Sequence, residues 1–218
     1  MNRFFCILSL VFLIVISCSH ERKNDLGKVK HRYQKKEHKE EIIVDCNYTY
    51  DEAIENSKAP DSVLSELKLI NVRYYSVDGK IHAGQILTNE RAVEKIQQLF
   101  EILLDEKFPV AHAVPVVKYN WNDDLSMQDN NTYSFCYRNI GYSRHARGMA
   151  IDINPYFNPV RWKKGYTFRQ NKPVGATYDT SVPGTFVESS PVVIKFEKLG
   201  FRWGHTFSMK FDDHHFEL

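Results

Sequence analysis

The most informative stretch of this chain is SRHARGMAID, residues 143–152. Residues 149–154 alternate between apolar and small or polar side chains, which predicts a β-strand with Asp152 on the face opposite the buried one. His145 stands seven positions before Asp152, an odd separation that would put the two side chains on opposite faces of one continuous strand. They can meet only if the chain bends between them, and Gly148 is the residue able to make that bend.

A second group of polar side chains ends the chain, FDDHHFEL at residues 211–218. One imidazole from this segment, added to His145 and Asp152, would give two nitrogens and one carboxylate oxygen. Catalytic zinc sites have such a set and keep a fourth position for water. A structural zinc site would instead be closed and would usually contain thiolates, for which too few cysteines remain. The pattern predicts a catalytic zinc centre and leaves His214 and His215 as alternatives.

The motifs S-x-H-x-x-G-x-A-x-D (residues 143–152) and D-x-x-H-F-E (residues 212–217) resemble those of zinc D-alanyl-D-alanine carboxypeptidases and dipeptidases of vancomycin-resistance type. That family includes the L-alanyl-D-glutamate endopeptidases of phage endolysins and shares its fold with the Hedgehog signalling domain. The resemblance extends over roughly residues 72–218. Its further matching pieces are residues 129–132, Arg138, residues 153–155, residues 158–159 and residues 200–204. The resemblance implies an α+β fold of DD-peptidase/Hedgehog type, an antiparallel sheet flanked by helices.

The resemblance also implies a role for each site residue. It makes His145, Asp152 and His215 the ligands of one zinc ion, with His215 preferred over His214 because Phe216-Glu217 follows it. It makes Asp212, three residues before that ligand, the catalytic acid/base. Arg138 takes the place of a side chain that stabilises charge on the scissile carbonyl.

The chemistry of these groups fits hydrolysis independently of the family. Zinc brings the pKa of a bound water toward about 7. A carboxylate can carry the proton of that water to the leaving amine. A guanidinium can meet the developing oxyanion.

One segment departs from the family pattern. Members often read G-G-D-W after the tryptophan, whereas this chain reads GHTF at residues 204–207. His205 and Phe207 are expected to alter a substrate subsite, although we interpret His205 itself as a structural residue. His82, His112 and His214 are likewise interpreted as packing or surface histidines.

Three hypotheses for the function follow. The first is a D-alanyl-D-alanine carboxypeptidase that trims peptidoglycan stem peptides, and the second is an L-alanyl-D-glutamate or other wall endopeptidase. The third is a non-catalytic, metal-containing binding module of Hedgehog-like fold, against which Asp212 and the open ligand set argue. A net charge of +2 gives no basic excess of the kind that nucleic-acid binders carry. We expect a monomer whose partner is the stem peptide.

The N-terminus predicts export. Residues 1–18 hold Arg3 and then an apolar run over residues 4–16, which is too short for a membrane span and typical of a signal peptide. Residues 15–18, VISC, resemble a lipobox, so we expect a lipid on Cys18 and an extracytoplasmic, membrane-anchored protein in the cell envelope. The alternative is a plain signal peptide with an incidental cysteine. Residues 19–43 are crowded with charges and predict a disordered tether, and residues 44–218 the catalytic domain.

Two cysteines remain in that domain, Cys46 and Cys136. In an exported protein they form either a disulfide or two unrelated buried thiols, and the sequence favours neither alternative.

Local patterns predict the regular elements. Residues 72–77 and 80–87 flank Asp78-Gly79 as a hairpin. Helices are predicted from Pro60 to Ile70, from Thr88 or Asn89 to just before Phe108-Pro109, and from Ser190-Pro191 to Gly200. Residues 113–119 predict a strand, residues 120–132 a loop, and residues 155–185 a long surface excursion. Residues 201–203 and 211–218 predict the last extended segments.

Overall fold

A computed structural model describes residues 41–218, within which five helices and ten strands occur. The helices are α1 (Tyr50–Ile54), α2 (Asp61–Leu64), α3 (Val93–Asp105), α4 (Asp123–Gln128) and α5 (Pro191–Lys198). The strands are β1 (Ile43–Val44), β2 (Leu67–Tyr75), β3 (Ile81–Asn89), β4 (His112–Ala113), β5 (Asn131–Thr132), β6 (Ala150–Asp152), β7 (Val160–Trp162), β8 (Arg202–Trp203), β9 (Lys210–Asp212) and β10 (His215–Glu217). In the described part of the chain, no helix is long and apolar enough to cross a membrane.

The predicted hairpin is confirmed as β2 and β3, which pair antiparallel from Leu67 opposite Asn89 to Tyr75 opposite Ile81. Gly79 lies in the turn with φ +82°, a conformation that suits glycine. β1 adds a parallel strand to the other edge of β3. Ile43, which the sequence placed in the tether, therefore already belongs to the sheet.

The predicted helix from Asn89 is confirmed as a short 3₁₀ turn followed by α3. The Asn89 side chain accepts a hydrogen bond from the Arg91 backbone N–H, and the helix ends before Phe108. α5 carries Pro191 at its start, and Gly200 follows its end with φ +96°. Both helices bury one apolar face in the main core. The residues that the two helices bury in this core are Ile96, Leu99, Phe100, Leu103, Val192, Val193 and Phe196.

Two predictions about local structure were wrong. The helix expected from Pro60 to Ile70 ends after one turn at Leu64, because Leu67 begins β2 and strand pairing overrides the local helical spacing. The strand expected over residues 113–119 stops at Ala113. Pro115 has no N–H to continue a ladder, and Val116–Tyr119 form a 3₁₀ turn.

The small sheet β6–β10–β8 positions the candidate site. β10 pairs antiparallel with β6, so that His215 lies directly opposite Asp152 and Phe216 opposite Ile151. Because side chains alternate along a strand, His215 and Asp152 share one face while Phe216 and Ile151 pack into the core on the other. Next to this sheet, β9 pairs with β7 and brings Asp212 opposite Val160.

The coarse class, α+β, agrees with the structure, but the strands form several small sheets instead of one antiparallel sheet. Two strand pairs, β1–β3 and β4–β5, are parallel. The more specific DD-peptidase/Hedgehog-like fold stays a prediction. The signal segment, Cys18 and the tether up to residue 40 lie outside the described residues.

Cys46 and Cys136 are both free thiols in the structure, so the disulfide alternative does not describe it. The Cys46 thiol lies 4.0 Å from the Ala113 carbonyl oxygen, whereas that of Cys136 lies 4.0 Å from the Trp121 carbonyl oxygen. Burial raises the pKa of Cys46 to about 11 and that of Cys136 to about 12. Each thiol therefore stays protonated at neutral pH.

Candidate active site and metal centre

The structure brings His145, Asp152 and His215 together as one buried group. His145 begins a 3₁₀ turn that ends at Gly148, whose φ of +64° supplies the bend between His145 and Asp152. A Cβ atom on Gly148 would lie 2.6 Å from the backbone nitrogen of Asn89, so neither the backbone conformation nor the space permits a side chain. The glycine is thus required both for the turn and for its packing against β3.

The three potential ligand atoms are mutual neighbours. His145 Nε2 lies 2.9 Å from His215 Nδ1 and 3.0 Å from Asp152 Oδ1. His215 Nδ1 lies 2.9 Å from the same Asp152 oxygen. Two nitrogens and one carboxylate oxygen that converge on one point form a set that fits a divalent metal ion.

Each of these side chains is also oriented by a partner behind it. The Nδ1–H of His145 donates to the Ser134 carbonyl at 2.7 Å, which leaves the Nε2 lone pair facing the group. His215 Nε2 lies 3.2 Å from Glu217 Oε2, which leaves Nδ1 facing inward. The Tyr133 hydroxyl lies 2.9 Å from Asp152 Oδ2. Such outer partners fix the tautomer and orientation of ligand side chains in metal sites.

The electrostatics of the group favour a positive charge at its centre. Burial alone would raise the pKa of Asp152, but the neighbouring His145 and His214 bring it well below its usual range. Burial alone would lower the pKa of His215, yet its contacts with Asp152 and Glu217 raise it to about 10. The Asp152 carboxylate thus stays ionised although it is buried. A buried negative charge requires a cation beside it.

Asp212 is buried at the end of β9, beside this group. Lys210 Nζ lies 2.6 Å from its Oδ2, and His214 Nε2 lies 3.1 Å from its Oδ1. That second contact lacks hydrogen-bond geometry, so Oδ1 has no hydrogen-bond partner among the described residues. Burial alone would raise the pKa of Asp212, but the charges of His214, His215 and Lys210 lower it. An ionised carboxylate with one free oxygen is able to accept a proton.

Gly204 lies so close to two site residues that no side chain fits at this position. A Cβ atom there would lie 2.6 Å from the Asp212 carbonyl oxygen and 2.8 Å from the Asp212 Cβ. It would also lie 3.1 Å from the Cβ of His215. Any side chain at Gly204 would displace both site residues.

Arg138 belongs to a network that the sequence did not predict. Its Nη2 lies 2.7 Å from Asp123 Oδ2 and 3.3 Å from the Tyr133 hydroxyl, which also bonds to Asp123. Because Tyr133 contacts Asp152 as well, one chain of contacts connects Arg138 to the metal-binding group. Asp123 was missed because it lies in the polar run 120–132, which predicted a loop but contains α4.

Of the two interpretations given to His214, packing or surface, the structure agrees with the first, since its side chain is buried in the wall of the site. Its Nδ1 lies 2.7 Å from the Asn158 carbonyl oxygen, while its Nε2 faces Asp212. His205, in contrast, lies outside the cleft lining: its ring stacks on Trp203 with centroids 4.5 Å apart, and its Nδ1 lies 2.6 Å from Asp213 Oδ1. Phe207 does line the cleft.

The group opens into a cleft of about 420 Å³. His145, Asp152 and His215 line it together with Asp212 and Arg138. The structure thus assembles five residues from distant parts of the sequence around one cavity. Metal-binding atoms, a free carboxylate oxygen and a guanidinium are combined there in a way that suits hydrolysis.

Comparison with known proteins agrees with this geometry. Residues 138–218 match the family model described as D-alanyl-D-alanine carboxypeptidase, and all five cleft residues lie within the matched segment. No curated protein and no solved structure matches the chain significantly. The match supports a peptidase and confirms the resemblance carried by the two sequence motifs: residues 138–218 are similar to the D-alanyl-D-alanine carboxypeptidase family.

Proposed function

We propose that this protein is a zinc-dependent peptidase that acts on cell-wall stem peptides as a D-alanyl-D-alanine carboxypeptidase. The observation that carries the proposal is the convergence of three ligand atoms, from His145, Asp152 and His215, within 3.0 Å of one another. They lie in a cleft that also contains Asp212, inside the segment that matches the peptidase family.

The donor set fits zinc better than the harder metal ions. Imidazole nitrogens suit zinc, whereas magnesium and calcium prefer oxygen ligands alone. Zinc ligands about 2.0–2.2 Å from the ion in a tetrahedral arrangement lie roughly 3.3 Å apart, so the observed separations need only a small expansion. When bound, zinc would act as a Lewis acid and make water available as a nucleophile near neutral pH.

The remaining chemistry belongs to side chains of this chain. Asp212 takes the proton of the attacking water through its Oδ1, which has no hydrogen-bond partner among residues 41–218, and delivers it to the nitrogen of the leaving amine. Arg138 presents a permanent positive charge to the carbonyl oxygen of the scissile bond, where negative charge develops. Asp123 and Tyr133 hold that guanidinium at the cleft.

The proposal also includes the location of the protein and its oligomeric state. Lipidation of Cys18 would tether the protein to a membrane with its catalytic domain facing the cell wall, where stem peptides are found. We propose a monomeric enzyme.

Digestion of defined muropeptides by the purified full-length protein tests this function. Mass spectrometry should detect loss of the terminal D-alanine from a pentapeptide stem. A chelator should abolish the reaction, and added zinc should restore it. A chelator-sensitive cut at the L-alanyl-D-glutamate bond instead would make the protein an endopeptidase. Absence of any cleavage by the zinc-loaded protein would contradict a peptidase and favour the binding module.

A further inference from the structure

Among residues 41–218, the charged side chains that line the cleft leave one cation without an ion-pair partner. Four basic and four acidic side chains are found there. Three of the basic side chains are each held by a carboxylate: Arg138 by Asp123 at 2.7 Å, Lys172 by Asp124 at 2.8 Å and Lys210 by Asp212 at 2.6 Å. The fourth is Arg144. Among residues 41–218, no carboxylate oxygen lies within 4.0 Å of its side-chain nitrogens.

The backbone of Arg144 is fixed while its side chain is exposed. Its carbonyl accepts hydrogen bonds from the backbone N–H groups of Arg147 at 3.1 Å and Met149 at 3.0 Å. The residue directly precedes His145 and lines the cleft. The backbone of Arg144 is thus fixed next to His145, and its exposed guanidinium, which has no ion-pair partner among residues 41–218, is available to bind a ligand in the cleft.

An arginine side chain at this position is suited to bind an anionic ligand. A guanidinium binds a carboxylate through two parallel hydrogen bonds, a geometry that a lysine cannot reproduce. A divalent cation bound by His145, Asp152 and His215 would give the cleft a net positive charge, because its basic and acidic side chains otherwise balance. The exposed side chains of Ile140 and Tyr142 line the same cleft and offer apolar contacts next to Arg144.

We infer that Arg144 is the subsite that binds a carboxylate of the substrate peptide, an inference that rests on the proposed function. In a stem peptide this carboxylate has two sources. One is the free C-terminus, which a carboxypeptidase must recognise. The other is an internal carboxylate, such as the α-carboxylate of a γ-linked glutamate, which an endopeptidase meets. Arg144 thereby contributes to the choice between substrates with and without an anion at that position.

Three peptides of one sequence separate these possibilities. The first has a free C-terminal carboxylate and an amidated internal one, the second has the reverse, and the third has both amidated. Steady-state kinetics of the zinc-loaded full-length protein should give a lower KM for one acid peptide than for the doubly amidated one. Arg144→Gln should raise that KM about 10- to 100-fold, with kcat and zinc content nearly unchanged. It should leave the KM of the doubly amidated peptide unaltered, and Arg144→Lys should restore part of the difference.

Arg147→Gln is the matched control. Arg147 lies in the same 3₁₀ turn and is also exposed, but it does not line the cleft. This variant should behave as wild type with all three peptides. Equal KM values of wild type for all peptides, or equal effects of Arg144→Gln on all of them, would overturn the inference while leaving the peptidase intact.

Failure of the proposed function would be recognised separately, as absence of turnover of any peptide by wild type. Calorimetric binding of the same three peptides then decides on Arg144. A preference for an acid peptide that Arg144→Gln removes would support the subsite, and its absence would overturn it.

Discussion

Asp212 and Asp213 are neighbours in the chain, and both are buried, but their carboxylates lie in different surroundings. The carboxylate of Asp212 lines the cleft and keeps one oxygen without a hydrogen bond among the described residues. That of Asp213 is fully buried away from the cleft, 2.7 Å from Arg161 Nε and 2.6 Å from His205 Nδ1. The first arrangement suits proton transfer, whereas the second connects three segments of the fold.

The two aspartates should therefore fail in different ways when changed. Asp212→Asn keeps the size of the side chain but removes the base, so kcat should fall about 10²–10⁴-fold. Zinc content should change little, because Asp212 is not a proposed ligand, whereas the weakened ion pair with Lys210 should lower the melting temperature to some extent. Turnover of a muropeptide, zinc stoichiometry and thermal unfolding of the purified variant provide the measurements.

Asp213→Asn should mainly destabilise the protein, since it leaves Arg161 and His205 without their shared carboxylate. Breaking a buried pair costs about 3–5 kcal/mol, and because Arg161 is partly exposed the lower end applies. The melting temperature should fall clearly, while kcat well below that temperature should change much less than in Asp212→Asn. Similar losses of kcat in both variants, with similar stability, would refute the role given to Asp212.

The adjacent histidines offer a second paired test. His215→Ala removes a proposed ligand and should weaken zinc binding by more than about 100-fold, beyond the usual effect of losing an outer partner. His214→Ala should retain the metal, because Nδ1 of His214 faces the Asn158 carbonyl and its Nε2 faces Asp212. Competition with a chromophoric chelator measures both affinities. Zinc loss in His214→Ala with retention in His215→Ala would reverse the assignment.

The sequence predicted five residues of the cleft but missed Asp123 and Tyr133. The spacing of His145 and Asp152 has a physical meaning, since it requires the bend that Gly148 makes. Asp212 and Arg138 were predicted from the family resemblance. Asp123 and Tyr133 belong to no motif. Their contacts with Arg138 depend on how α4 and the segment after β5 pack against the cleft, which local periodicity does not encode.

The elements of the fold also differ in how far the sequence predicts them. The β2–β3 hairpin and α3 were predictable because local turn chemistry, capping and periodicity agree there. Extended segments were also predicted over residues 201–203 and 211–218, where β8, β9 and β10 lie. Their pairing was not predictable, since these strands have only two or three residues each and pair with distant partners. The sequence left open whether His214 is a packing or a surface residue, because its burial beside Asp212 depends on tertiary packing.

The network around Arg138 can be tested with another pair of neighbours. Asp123→Asn removes the carboxylate 2.7 Å from the guanidinium, and kcat/KM should fall about 10-fold or more, as expected for a charge-assisted hydrogen bond. Asp124→Asn is the control, because the Asp124 side chain is 70% exposed and, within residues 41–218, its one ion-pair partner is the exposed Lys172. Its kcat/KM should stay near wild type.

A double variant decides whether Asp123 acts through Arg138. If it does, Asp123→Asn combined with Arg138→Gln should be no slower than Arg138→Gln alone. Fully additive losses would mean that Asp123 works independently of the guanidinium. The same conclusion would follow if Asp124→Asn were as damaging as Asp123→Asn.

Far from the cleft, His82 connects the first sheet to the turn of its hairpin. Its Nδ1 lies 2.9 Å from Asp45 Oδ1, its Nε2 lies 3.3 Å from Asp78 Oδ1, and its ring stacks on Tyr74. Burial alone would lower the pKa of His82, but the contacts with the two carboxylates outweigh it and raise the pKa. Lys80 is the nearby cation, and it acts on Asp78.

Folding stability should therefore depend on the charge of His82. Because folding raises the pKa of His82, the protonated side chain stabilises the folded state. This contribution to stability is fully present below the unfolded pKa of about 6.5. This contribution is lost as the pH rises through the higher folded pKa. Urea unfolding from about pH 6 to about pH 9 should show wild type losing its advantage over His82→Gln as the pH rises. His112→Gln is the control for loss of an imidazole alone, because His112 forms no ion pair within residues 41–218. A pH-independent difference for His82→Gln would show that His82 stabilises the fold by packing alone.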